Sequence, residues 1–209
     1  NNTIFETQFS GTPQAEVPLI ADMSSDIFSR EFDANPYHLV YAGAQKNMGP
    51  AGTVMYAFDT EAVGKTGRRI PSYLDLQVHA SKDSMFNTPS VFPVYVTMLT
   101  LRWIKSMGGV KAMEERNARK AALIYGEIDR NDLFEGHAAG NSRSTMNATF
   151  RLKEDTKAAA FDILWKEAGI SGIKGHRSVG GYRASMYNAL PEESVQVLVD
   201  VMQELERTA

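Results

Sequence analysis

Three short apolar runs fall within the first sixty residues: VPLIAD (17–22), HLVYAGA (38–44) and GTVMYAF (52–58). None shows the strict alternation of a strand with one wet face. Runs of this kind, separated by polar turns such as MSSD, fit a mostly parallel sheet covered on both faces. Two of them run into a lone ionisable residue, Asp22 in the first case and Lys46 just past the second. In the ten residues YAGAQKNMGP (41–50), Lys46 is the one charge.

The rest of the chain reads as helices and a few strands. A polar stretch, 60–87, precedes a strongly apolar helix over 90–107 that stops at Gly108-Gly109, a C-terminal cap signal. An amphipathic helix follows over 110–130. Beyond residue 145 the pattern is a strand (146–152), a helix (156–168), a second strand segment (182–188) and a helix opened by Pro191 with Glu192 and Glu193 in its first turn. We read this as β-α-β-β-α, a small α+β unit. The expected fold class is therefore α/β. Residues 1–109 form part of a large domain built on a mostly parallel sheet, and 110–209 form a connecting helix and a small C-terminal α+β domain. The opening NNTIFETQF reads as strand and carries no initiating Met, so an upstream part of the natural protein is expected to be missing.

Composition removes several function classes. The 209 residues carry a formal charge of −3, which offers no basic footprint for nucleic acid. There is no Cys, which excludes disulfides, thiolate metal sites and cysteine nucleophiles and is compatible with a cytoplasmic location. The longest apolar stretch, 90–101, is interrupted by Pro93 and is short of the roughly 20 residues that span a bilayer. No membrane partner is expected. His38 and His79 stand alone without ligand spacing, and no metal site is expected.

Asp22 and Lys46, 24 residues apart, end two neighbouring strands. Ligands gather at the carboxyl ends of strands in open α/β sheets. Pyridoxal phosphate suits such a pair: it needs a lysine for its Schiff base and an acid facing its pyridine nitrogen. The same two residues also read as a strand-end ion pair. GAQKNMGP is not a nucleotide phosphate loop, because it lacks Gly-Lys-Ser/Thr. In GHRSVGGYRAS, His176, Arg177 and Arg183 set three anion donors around Gly180-Gly181, enough for a small substrate bearing both a carboxylate and a phosphate. A polar hairpin with internally paired arginines is the structural alternative.

ADMSSD, YAGAQKNMGPAG, SMFNTP and GHRSVGGYRASMYNALP together resemble the phosphoserine aminotransferase family, fold-type-I pyridoxal-phosphate enzymes of aminotransferase class V. The resemblance runs from about Thr3 to the C-terminus, in the family's order. It implies that Lys46 carries the cofactor and is catalytic, and that Asp22 faces the pyridinium. It places Gln45 on the cofactor phosphate and Thr3 against the ring oxygen. Asn87 and Thr88 would reach the cofactor phosphate of the other subunit of a homodimer. Arg183 would take the substrate carboxylate, and His176 and Arg177 the substrate phosphate. The implied substrates are glutamate or 2-oxoglutarate and a phosphorylated amino or keto acid, in serine biosynthesis. Two other readings stand beside it: a serine–pyruvate type transaminase, which would need one anion site, and a fragment that folds and dimerises without turnover. A cysteine desulfurase is disfavoured by the lack of Cys.

Overall fold

The computed structural model describes residues 1–65 and 67–208; residue 66, in the polar stretch 60–87, and residue 209 lie outside the described residues. The chain divides into two compact units. One comprises residues 12–27 and 32–106, and the other residues 1–11, 28–31 and 107–209. The first eleven residues, expected in the N-terminal domain, thus cluster with the C-terminal part.

In the first unit, β1 (Leu19–Asp22), β2 (Tyr37–Gly43) and β3 (Val54–Phe58) form a sheet in that order. β1 and β2 are parallel with Asp22 opposite Tyr41, whereas β3 returns antiparallel with Tyr56 opposite Tyr41. Burial is deepest at the end of β2, where Val40, Ala42 and Ala44 are closed off. The expectation of a sheet covered on both faces does not hold within this unit: Ile20 is 67% exposed and Tyr56 50% exposed. An apolar run records that a strand is suited to burial. The layer that buries it has to come from elsewhere, and in this unit the long helix α2 (Val91–Ser106) is itself half open, with Phe92 70% exposed. A short helix, α1 (Leu76–Ser81), lies in the expected polar stretch, with its first turn capped by Asp75, whose carboxylate accepts from the Gln77 amide.

The second unit starts with α3 (Gly109–Arg130), whose buried residues Met113, Asn117, Lys120, Ala121, Ile124 and Ile128 recur at helical spacing. β4 (Phe134–Gly136), β5 (Asn147–Leu152) and β6 (Tyr182–Ser185) make an antiparallel sheet in that order. α4 (Ala158–Glu167) and α5 (Glu192–Thr208) complete it. A single strand, β6, separates α4 from α5. The extra strand expected beyond residue 145 is instead β4, which lies upstream and at three residues is too short to leave a periodic signal. The core is aromatic: Phe161 packs edge-on against Phe134 at 5.2 Å and Tyr182 at 4.8 Å. The opening residues form no strand. They make a tight turn closed by isolated bridges from Asn2 to Thr7 and from Thr7 to Arg143. Among the described residues no helix is long and apolar enough to cross a membrane.

Candidate active site

β1 ends where the Asp22 carboxylate folds back to accept the Ser24 amide at 2.8 Å, a local Asx turn that diverts the chain. The Ser24 hydroxyl oxygen also accepts the Gly43 amide at 3.0 Å, which ties the end of β1 to the end of β2. Past Gly43 the chain makes one helical turn, with the Met48 and Gly49 amides donating to the Ala44 carbonyl. Three contacts fix this turn. Met48 is buried, the Asn47 amide donates to the Ile27 carbonyl at 3.1 Å, and Gly49 lies so close to α2 that a Cβ there would meet the Thr97 backbone at 3.1 Å. Lys46 is therefore half-buried on a locked support.

The structure brings Lys46 and Asp22 within electrostatic reach. Partial burial works against the Asp22 charge, but the Ser24 hydroxyl and amide, the Tyr41 hydroxyl and the Lys46 charge outweigh it and hold the carboxyl below its ordinary range. Gln45 is exposed and lies back over Gly43, where a Cβ would touch its amide oxygen at 2.5 Å. Asn87 and Thr88 sit on an exposed loop of the same unit, with the Asn87 amide on the Thr88 carbonyl at 3.2 Å. Ser24 and Tyr41 were not singled out from sequence. The Asp of ADMSS does carry the signal for the turn, since an Asp side chain bonds the backbone two residues on.

The second unit holds Thr3, His176, Arg177 and Arg183. Arg183 lies on β6 opposite Thr149, on the face away from Tyr182 and Ala184, which enter the core. Its Nε is buried without a hydrogen-bond partner. A cavity of about 380 Å³ adjoins it, lined in part by Ile173, Ser185, Leu190 and Val197. The 175–181 loop closes on itself through the Gly175 amide and the Gly181 carbonyl at 2.8 Å. The approach is so tight that a Cβ at Gly175 would overlap the Gly180 carbonyl oxygen. His176 Nδ1 meets the Ser178 hydroxyl at 2.7 Å, which orients the ring, while Arg177 is exposed. A second cavity, of about 230 Å³, lies beside Arg30 and Arg143; Asp129 clamps Arg143 bidentately at 2.6 and 2.7 Å while its Nε is likewise buried without a partner, and Arg30 donates to the Phe9 carbonyl at 2.6 Å.

Lys46, on a turn fixed by its neighbours, lies near the Asp22 carboxylate, at and just past the ends of two parallel strands. The family model for class-V aminotransferases matches residues 8–198, and the chain belongs to that family. It is 59% identical over 206 residues to a phosphoserine aminotransferase of Flavobacterium psychrophilum, an alignment covering 99% of this chain and 58% of that protein. A solved phosphoserine aminotransferase from Bacillus circulans subsp. alkalophilus superposes with a TM-score of 0.95 at 42% identity, covering 100% of this chain and 58% of that one. The pyridoxal-phosphate-bound phosphoserine aminotransferase from Trichomonas vaginalis gives 0.88 at 35% identity, covering 97% and 58%. The chain spans about 58% of the length of these relatives.

Proposed function

We propose that this chain, with the upstream segment that its relatives possess, catalyses pyridoxal-phosphate-dependent transamination between glutamate and 3-phosphohydroxypyruvate, giving 2-oxoglutarate and O-phosphoserine. The observation that carries the reading is the pairing of Lys46 with an anionic Asp22 at the carboxyl ends of β1 and β2. These residues fit the cofactor: a primary amine for its aldehyde, and for its pyridine nitrogen a carboxylate whose charge is held by the Ser24 amide and hydroxyl and the Tyr41 hydroxyl.

When bound, pyridoxal phosphate supplies the electron sink for a carbanion at the substrate Cα. Asp22 keeps the ring nitrogen protonated, which strengthens that sink. Lys46 would anchor the cofactor and, once released from it, would carry the proton off the substrate Cα, the general acid–base part of the reaction. Gln45 would hold the cofactor phosphate, and Thr3 would meet the ring oxygen. Arg183 holds the substrate carboxylate with its planar fork. His176 and Arg177 bind the substrate phosphate, and Asn87 and Thr88 reach the cofactor phosphate of a second copy, so the working form is a homodimer.

The test is Lys46→Ala in the protein carrying the upstream segment. Borohydride should no longer fix cofactor to the chain, and turnover should fall by at least the roughly 10²–10⁴-fold that acid–base action contributes. Cofactor still fixed on another lysine would defeat the assignment.

A further inference from the structure

Asp22 is the residue on which the electron sink depends, and it stands at the end of β1. A carboxylate in that position needs neighbours to fix its direction. The groups facing it are the Ser24 amide and hydroxyl from the turn, Lys46 from the turn after β2, and Tyr41 from β2. They differ in how firmly they are held. The Ser24 hydroxyl is shared with the Gly43 amide, and Lys46 has its own role with the cofactor. Tyr41 lies in the middle of the sheet, in register with Asp22 on one side and with Tyr56 on the other. Its ring stacks on Tyr56 with centroids 6.3 Å apart and planes at 29°. The stack and the two paired strands hold the phenol ring beside Asp22 and restrict its rotation.

We propose that Tyr41 is a positioning residue for the cofactor, donating its hydroxyl hydrogen to the Asp22 carboxylate so that the anion stays oriented and charged toward the pyridine nitrogen. The direction of the bond agrees with the phenol's own titration, which the Asp22 charge pushes up, keeping the proton on the tyrosine. Asp22, Tyr41 and Tyr56 thereby form a row across all three strands of this sheet, with Tyr56 as the backstop. The inference rests on the reading of Asp22 as the acid that faces the ring nitrogen.

The experiment compares Tyr41→Phe, which keeps the ring and its stack, with Asp22→Asn, in the protein carrying the upstream segment. In the cofactor-free form, the Asp22 carboxyl is titrated by ¹³C NMR, its signal identified by its loss in Asp22→Asn. In the loaded form, the dissociation constant of pyridoxal phosphate is measured. Tyr41→Phe should move the Asp22 titration upward toward the ordinary carboxylate range and weaken cofactor binding roughly two- to ten-fold, the loss of one hydrogen bond. A purely structural tyrosine would leave the Asp22 titration where it is. If Tyr41→Phe changes neither quantity while Asp22→Asn still releases cofactor, the role of Tyr41 is refuted and that of Asp22 stands. If Asp22→Asn retains cofactor unchanged, the assignment of Asp22 falls and the inference falls with it.

Discussion

The Glu6 carboxylate accepts the amide hydrogen of Thr149, joining the turn at the start of the chain to the strand that faces Arg183. A second amide, that of Ala138, donates to the same carboxylate at 2.7 Å. Glu6 is fully buried and its backbone sits in the left-handed region at φ 52°, which a non-glycine residue adopts only when its surroundings impose it. Burial is the main influence on the carboxyl, and it is pushed up from 4.5 to about 7 despite the amides and the nearby Arg143 charge; Tyr125 also faces it from α3.

That shift makes the stability of this unit depend on pH. The folded state favours the protonated acid, so the contribution of Glu6 is fully present below about pH 4.5 and is lost as pH rises through about 7. A shift of this size corresponds to on the order of 3 kcal/mol. Glu6→Gln, neutral at every pH, should show a smaller fall in unfolding midpoint between pH 5 and pH 8 than the parent chain. Parallel pH profiles for the two would show that Glu6 titrates normally.

The aromatic core offers a prediction about stability alone. Phe161 is fully buried against Phe134, Phe150 and Tyr182. Phe161→Ala should cost about 3–5 kcal/mol in denaturant unfolding, from lost burial plus the cavity left behind. A loss below about 1 kcal/mol would mean that the ring is not packed as described.

Gly175 tests the support of the anion donors. Its missing side chain lets the Gly180 carbonyl approach, and a methyl group there would force the loop open. Gly175→Ala should lower the melting temperature and impair O-phosphoserine turnover together, by displacing His176 and Arg177. Unchanged values for both would remove the loop from the substrate site.

Arg177, proposed with His176 to meet the substrate phosphate, bears on substrate choice. Arg177→Ala is expected to reduce kcat/KM for O-phosphoserine by roughly ten- to a hundred-fold relative to serine, the effect of one hydrogen bond to a charged group. Equal losses for the two substrates would return the serine–pyruvate reading to the front.

By itself the sequence determined the local chemistry. The apolar run ending at Asp22, the single charge of YAGAQKNMGP and the diglycine of GHRSVGGYRAS each placed a functional group at an element's end, because turn residues and hydrophobic periodicity act over a few positions. Helices α3 and α5 were legible for the same reason, since their buried faces repeat at 3.6 residues. Tertiary structure decided what short-range pattern does not encode. β4 forms because β5 offers it a partner, and three residues carry no period of their own. The first eleven residues bend into a turn on the C-terminal unit because a buried Glu6 finds amides there, 132 and 143 residues away in sequence. Only strand pairing put Tyr41 beside Asp22. Strand register is fixed by long-range hydrogen bonding, and no spacing within VPLIAD or HLVYAGA reveals which residues will face each other.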